Sequence, residues 1–418
     1  MSKFIIVGGK KPKGKIKISG SKNAALALIP ATLLIEGKVR LLNIPRINDV
    51  LIMLDILKSL GGEYQWLNEH ELLIDTRHIA YAPLINELIM KLRGSILFLG
   101  PILGKFKKCE IAFPGGDIIG ARPIKTHLKA LNDLGAEISI NKIIEAKIKK
   151  LTSTRVIFDE ISVTASELLL LFAANFEKTI ELRLVAIEPH VVALEKFLVK
   201  AGFSINGIGT HFIRIKKNKK IKKNLDYVLP PDDIEAGTFI ALGAATKGNL
   251  LIENISPENM DSIFQVMKSM NIKFEIKDNN LKIQAFYLKG AKIQTGLYPK
   301  FPTDLQPPFG VLATQADGVT LIHDWMYENR FGYLNELRYM GANIDILDPH
   351  RAIIIGPTPL MGTEVKSLDI RSGIALVIAG CVAQGKTIIY EAEKIDRGYE
   401  NIDKRLQNLG LMIERIED

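Results

Sequence analysis

A chain of 418 residues, 47% hydrophobic and 24% charged, has the composition of a soluble globular protein and is too long for one ordinary core, so two domains of about 200 residues are expected. Its longest apolar runs, such as LVIAGCVAQG, stop well short of the ~20 residues that span a bilayer, and the start offers only a short FIIV run before Gly8, so neither a membrane helix nor a signal peptide is expected and the location is cytoplasmic. The net charge of +9 suits nucleic acid or small anionic substrates; the excess lies in two lysine tracts, NKIIEAKIKK and KKNKKIKKN, which lack interleaved aromatics, so solvated lysines are favoured over a nucleic-acid surface.

In chain order, KFIIVGG and GKIKISG predict two short strands with no repeat partner nearby, expected to pair with the second domain as the chain closes. An apolar helix, a glycine stop and a β-rich run then recur six times. The copies are SKNAALALIPATLLIEGKVRLLNI, LRGSILFLGPILGKFKKCEIAF, TASELLLLFAANFEKTIELRLV, EAGTFIALGAATKGNLLIENI, TDLQPPFGVLATQADGVTLIHD and IRSGIALVIAGCVAQGKTIIYEA. Helices apolar on most of their surface must be buried, which implies sheets wrapped around helices. Between the copies lie amphipathic helices such as NDVLIMLDILKSLGGEYQW and HVVALEKFLVKAGFSI, closed by glycine or asparagine and followed by an alternating strand. The lysine-rich stretch Lys216 to Asn224, leading to YVLPPDDIE, is the expected joint, with domains 21–228 and 1–20 plus 229–418 linked by two connections. Cys109 and Cys381 lie in apolar runs without metal-ligand spacing and are expected to be buried thiols.

The helix openings carry unusual charge: Lys22 with Asn23, Arg93, Ser162 to Thr164, Glu235, Asp304, and Asp369 with Arg371. Each has an ordinary alternative, since an acid at a helix start is often a cap and an arginine often a surface group. Together with Arg330 of ENRF and Arg397 of DRGYE they suggest a cationic cleft shared by two domains, suited to a phosphate plus a carboxylate. Two acids that look buried within it, Asp117 and Asp304, are candidates for proton transfer.

The motifs SGSKNAAL, PGGDIIGARP, PTDLQ, ENRF and DIRSGIALVIAGC followed by IDRGYENIDKRLQNLG resemble the UDP-N-acetylglucosamine 1-carboxyvinyltransferase family over the whole chain. SGSKNAAL separates it from the shikimate-pathway enolpyruvyl transferases, which open with a GDKSISHR-like segment. The resemblance implies an α/β fold of two inside-out α/β barrels, built from six βαβαββ-type repeats, three per domain, and transfer of the enolpyruvyl group of phosphoenolpyruvate to the sugar 3′-hydroxyl by addition and elimination. It implies no metal or organic cofactor and, as partners, these two small substrates, with no nucleic acid and no membrane. By position, Lys22, Asn23, Arg122 and Arg397 would hold phosphoenolpyruvate, with Arg93 adding positive charge. Asp304 would be the base at the hydroxyl. Arg330 and Arg371 would balance charge and assist closure, and Asp369 would orient the arginines. Arg93, Arg122, Pro123, Ile124, Lys125, Thr126, Glu160, Ile161, Ser162, Val163, Asp304 and Met326 would line the nucleotide sugar, with Tyr327 as an apolar wall. Two positions depart from the family pattern: Lys125 stands where an acid is common and Thr164 where a glycine is common.

A third departure is chemical. The family's loop commonly reads Pro-Gly-Gly-Cys, the cysteine serving as general acid and as the target of the epoxide fosfomycin; here the residue is Asp117. Three functions are thereby weighed: an active, fosfomycin-insensitive transferase, a homologue that binds UDP-sugar without turnover, and a nucleic-acid binder. Aspartic acid can make the same proton transfer and is a far poorer nucleophile than a thiolate, which favours the first.

Overall fold

A computed structural model of the chain describes residues 2–117, 119–284 and 287–417. The chain divides into two units, one made of Gly20–Asp117 and Arg122–Pro230, the other of Met1–Ser19, Ile118–Ala121 and Pro231–Asp418. The change of unit falls at Ser19/Gly20 and Pro230/Pro231, with the short stretch Ile118–Ala121 also assigned to the second unit. The lysine tract is therefore not the joint itself: it connects strand Phe212–Lys216 to strand Asn224–Val228 inside one unit, where solvent can hold its charge.

In the unit around Gly20–Pro230, three inner helices, Lys22–Ala31, Leu99–Phe106 and Val163–Ala173, are covered by three sheets. One sheet runs Asn224–Val228, Lys38–Leu42, Glu71–Asp75, Glu63–Asn68; a second runs Ser204–Asn206, Phe212–Lys216, Ile180–Arg183, Arg155–Ile157. The third runs Lys108–Ile111, Ile144–Lys147, Glu137–Ile140, with Leu84 bridging Ile111 in parallel at its edge. Each is an antiparallel set with one parallel neighbour at an edge.

The other unit repeats the plan with inner helices Asp233–Ala245, Gln306–Thr314 and Ile370–Val382. Its sheets run Lys273–Lys277, Asn280–Gln284, Asn249–Glu253, Lys13–Lys17; then Lys292–Gln294, Gly318–His323, Arg351–Gly356, Asn343–Asp348; then Glu364–Lys366, Lys386–Tyr390, Ser2–Val7, Met412–Glu417. Both amino-terminal strands belong here: Ser2–Val7 pairs antiparallel with two strands and Lys13–Lys17 runs parallel to Asn249–Glu253.

The reason for helices inside is visible in the burial. Every residue of Asp233–Ala245 beyond Asp233 is buried, as is every residue of Gln306–Thr314. Strands such as Lys38–Leu42 bury only alternate residues, Val39 and Leu41, and turn the other face outward. Fully burying one leucine stabilises by about 2 kcal/mol, so runs such as Leu168 to Leu171 place the helices at the centre of each separate core. Close helix contact needs small residues: a Cβ on Gly100 would lie 2.5 Å from the Leu168 carbonyl oxygen on the neighbouring helix.

The six outer helices, Asn48–Ser59, Lys125–Asp133, Pro189–Ala201, Asp261–Ser269, Gly332–Tyr339 and Ile402–Asn408, share one stop. Each is followed within two residues by a left-handed residue, Gly61, Gly135, Gly202, Asn271, Gly341 or Gly410. Cys109 and Cys381 are buried, and burial pushes the Cys381 thiol up to about 12. Among the described residues no helix is long and apolar enough to cross a membrane.

Candidate active site

The glycine loop is shaped by two different constraints. A Cβ on Gly115 would sit 1.7 Å from the Met90 carbonyl oxygen, which excludes any side chain, whereas Gly116 adopts φ +123°, which L side chains rarely take. Gly116 packs against Arg93, and its absent Cβ would lie 3.5 Å from Arg122 Nη1, so the Arg122 guanidinium borders the residue next to Asp117. Arg93 in turn donates from Nη2 to the Pro123 carbonyl at 3.0 Å, tying the start of its helix to the segment Arg122–Thr126.

Lys22 opens the first inner helix, which Ser21 caps by accepting from the Ala24 amide at 3.3 Å. Its ammonium lies 3.1 Å from the buried carboxylate of Asp49. Asn23 follows it and is half-buried. Across the same unit, Thr126 donates to Glu160 Oε1 at 2.9 Å and His127 Nε2 lies 2.7 Å from Thr164 Oγ1. These bonds bring Arg122, Pro123, Ile124, Lys125 and Thr126 beside Glu160, Ile161, Ser162 and Val163, with Lys125 exposed.

In the other unit Asp304, in the short turn before helix Gln306–Thr314, accepts from two arginines. Arg330 Nη2 reaches Oδ1 at 2.8 Å, and Arg371 Nε reaches Oδ2 at 3.0 Å. Arg371 also donates from Nη1 to the Tyr399 hydroxyl at 2.9 Å, which meets Thr238 Oγ1 at 2.8 Å. Burial works against the charge of both guanidiniums, but the groups around them outweigh it and raise both above the ordinary arginine value: Tyr399 and then Asp304 for Arg371, Asp304 and then Asp369 for Arg330. Both stay cationic.

Asp369 is a cap. Its Oδ1 accepts from the amides of Arg371 and Ser372 at 2.8 and 3.1 Å, so it orients Arg371 through the backbone while adding negative charge near Arg330. Asp324, fully buried, accepts from Thr303 Oγ1 at 2.6 Å and from the Met326 amide at 3.1 Å, fastening the Asp304 turn to the segment that carries Met326, Tyr327 and Arg330. Arg397 ends a short helical turn, two residues before Tyr399, and is half-buried.

One expectation is corrected. Asp117 and Asp304 are not buried: Asp117, in the irregular stretch between strand Lys108–Ile111 and helix Lys125–Asp133, is half-exposed, and the Asp304 side chain, in the short turn Thr303–Leu305, is 30% exposed. Among the described residues, Asp49 and Asp324 are acids that are buried, and they hold a cation and a turn in place. Neither was singled out from sequence, since an acid in a helix's first turn or after a strand has no distinguishing neighbour pattern.

Glu328, inside the ENRF motif, was also passed over. Its Oε1 accepts from the Ala121 amide at 2.6 Å, and a Cβ on Gly120 would lie 2.5 Å from its Oε2; the Asn329 amide donates to the Ile119 carbonyl at 3.1 Å. That bond pulls the Glu328 carboxyl below its ordinary value. Glu328→Ala is expected to raise the amide exchange of Ala121 roughly tenfold, whereas unchanged exchange would mean the contact does not hold this stretch.

This architecture is that of the enolpyruvyl transferases. The family model described as EPSP synthase (3-phosphoshikimate 1-carboxyvinyltransferase) matches residues 6–406. The fold is shared with the enolpyruvyl transferase NikO from Streptomyces tendae, at TM-score 0.90 and 21% identity over 99% of both chains, and with EPSP synthase from Acinetobacter baumannii, at TM-score 0.73 and 19% identity over 100% of both. Proteins named UDP-N-acetylglucosamine 1-carboxyvinyltransferase are nearer in sequence: that of Campylobacter hominis is 40% identical over 415 residues and that of Treponema denticola 38% over 423, each match covering 99% of both chains. The chain belongs to the UDP-N-acetylglucosamine 1-carboxyvinyltransferase family.

Proposed function

We propose that the protein transfers the enolpyruvyl group of phosphoenolpyruvate to the 3′-hydroxyl of UDP-N-acetylglucosamine with release of phosphate. It thereby acts in the cytoplasm at the entry to peptidoglycan synthesis. The observation that carries this reading is 40% identity across the full length to a relative of that name. The cationic turns support it, since guanidinium and ammonium groups stabilise a phosphate and a developing carboxyl charge.

The roles are those that the family resemblance implies. Asp117 gives a proton to the methylene carbon of phosphoenolpyruvate, leaving C2 electrophilic. The sugar 3′-oxygen attacks C2 while Asp304 takes the hydroxyl proton, forming a tetrahedral adduct. The adduct then loses a proton from its methyl group and expels phosphate, which restores the double bond. Lys22, Asn23, Arg122 and Arg397 hold phosphoenolpyruvate, with Arg93 adding positive charge. The pairing of Asp304 with Arg330 and Arg371 at 2.8 and 3.0 Å orients it toward the hydroxyl. Because the loop presents a carboxylate where a thiolate would be alkylated, the enzyme is insensitive to fosfomycin.

The test is phosphate release from phosphoenolpyruvate by purified protein, with and without UDP-N-acetylglucosamine. Release that requires the sugar nucleotide is the expected result. A folded preparation that binds UDP-N-acetylglucosamine but releases nothing would make it a binding protein without turnover.

A further inference from the structure

We propose that Thr164 and His127 are positioning residues for the nucleotide sugar, a role that rests on the assignment of Arg122–Thr126 and Glu160–Val163 to that substrate. Three side-chain bonds join helix Lys125–Asp133 to the stretch 159–164. Lys129 Nζ meets Asp159 Oδ1 at 2.7 Å, Thr126 Oγ1 meets Glu160 Oε1 at 2.9 Å, and His127 Nε2 meets Thr164 Oγ1 at 2.7 Å. The first joins side chains 45% and 52% exposed, and such surface pairs contribute little. The other two start from Thr126 and His127, only 7% and 1% exposed.

Two adjacent residues thus grip positions 160 and 164, one before and one after Ser162 and Val163. A single bond would leave the two segments free to pivot, and a pair on either side of Ser162 sets both their spacing and their angle.

The His127 bond is hard to replace. Among the described residues its Nδ1 has no hydrogen-bond partner, so the Thr164 hydroxyl is the hydrogen-bond contact seen for this buried ring. Removing that hydroxyl leaves both ring nitrogens orphaned in the interior, a state folded proteins avoid by moving the group. Burial, and secondarily the charge of Arg93, push the histidine down to about 3, so the neutral ring and its bond persist at any working pH. Thr164 stands where the family pattern leads one to expect glycine, so this contact needs a side chain the common pattern lacks.

The experiment compares Thr164→Val, which keeps shape without the hydroxyl, with Thr164→Ser, which keeps the hydroxyl, and with Lys129→Ala. In Thr164→Val the KM for UDP-N-acetylglucosamine is expected to rise about tenfold, equivalent to the loss of one hydrogen bond, with kcat and the KM for phosphoenolpyruvate within about twofold of wild type. Thr164→Ser and Lys129→Ala should match wild type, and the His127 side-chain ¹⁵N resonance should move in the valine variant alone. An unchanged KM in Thr164→Val, or a joint fall of kcat, both affinities and Tm, overturns the role. If wild-type protein shows no turnover with UDP-N-acetylglucosamine, the substrate assignment fails instead. The clamp is then read from amide exchange of residues 122–126, where faster exchange in valine than in serine supports it and equal exchange overturns it.

Discussion

Asp117→Asn is expected to lower kcat by roughly 10²–10⁴-fold, the range for removing a general acid, while UDP-N-acetylglucosamine still binds. Asparagine keeps the volume and a carbonyl oxygen but has no acidic proton for the methylene carbon. The loop should not distort, because its shape is set by Gly115 against the Met90 carbonyl and by the positive φ of Gly116, not by the side chain at 117. Normal turnover by this variant would remove Asp117 from the acid role. Asp117→Cys carries the complementary expectation: turnover retained and fosfomycin sensitivity gained, measured as time-dependent loss of activity. Continued resistance of an active cysteine variant would mean that the loop, and not the side chain, decides.

The second large effect is expected at Asp304. Its removal leaves Arg330 and Arg371, whose side chains are only 2% and 6% exposed, without the carboxylate they share. Breaking a buried pair costs ~3–5 kcal/mol, and because Asp304 is itself 30% exposed the lower end applies. For a unit of this size Asp304→Ala should therefore lower Tm by roughly 6–12 °C and abolish turnover. The double variant Asp304→Ala/Arg371→Met separates the two losses, since it removes one of the two orphaned guanidiniums while Arg330 stays unpaired from Asp304. It is expected to regain part of the stability and none of the activity. If the double variant is no more stable than the single one, the destabilisation does not come from unpaired charge.

The repeat was legible in the sequence because it is written in local terms. Six apolar helices and six glycine- or asparagine-stopped amphipathic helices are patterns of neighbours, and an all-round apolar helix such as Val163–Ala173 has nowhere to go but the centre. The charged turns were legible for a related reason: Lys22, Asp304 and Arg371 interrupt strongly apolar stretches, where a charge has no place unless it has a partner or a ligand.

The partners themselves were not legible. Arg371 meets Asp304 and Tyr399 at sequence separations of 67 and 28 residues, and Lys22 meets an acid that looks like any helix-opening aspartate. Nor could burial be assigned to Asp117 or Asp304 from their neighbours, because exposure at a turn depends on what packs over it. The lysine tract that pointed to the joint lies just before it: the expected bounds 20/21 and 228/229 fall within two residues of the changes of unit at Ser19/Gly20 and Pro230/Pro231. Thus the sequence alone determined the repeat, the inner position of the helices and the kinds of charged group at their openings, all consequences of short-range periodicity and the hydrophobic effect. Only the tertiary structure decided which charges pair, which acids are covered and how His127 meets Thr164, because electrostatic and hydrogen-bond energies depend on distances in space and not along the chain.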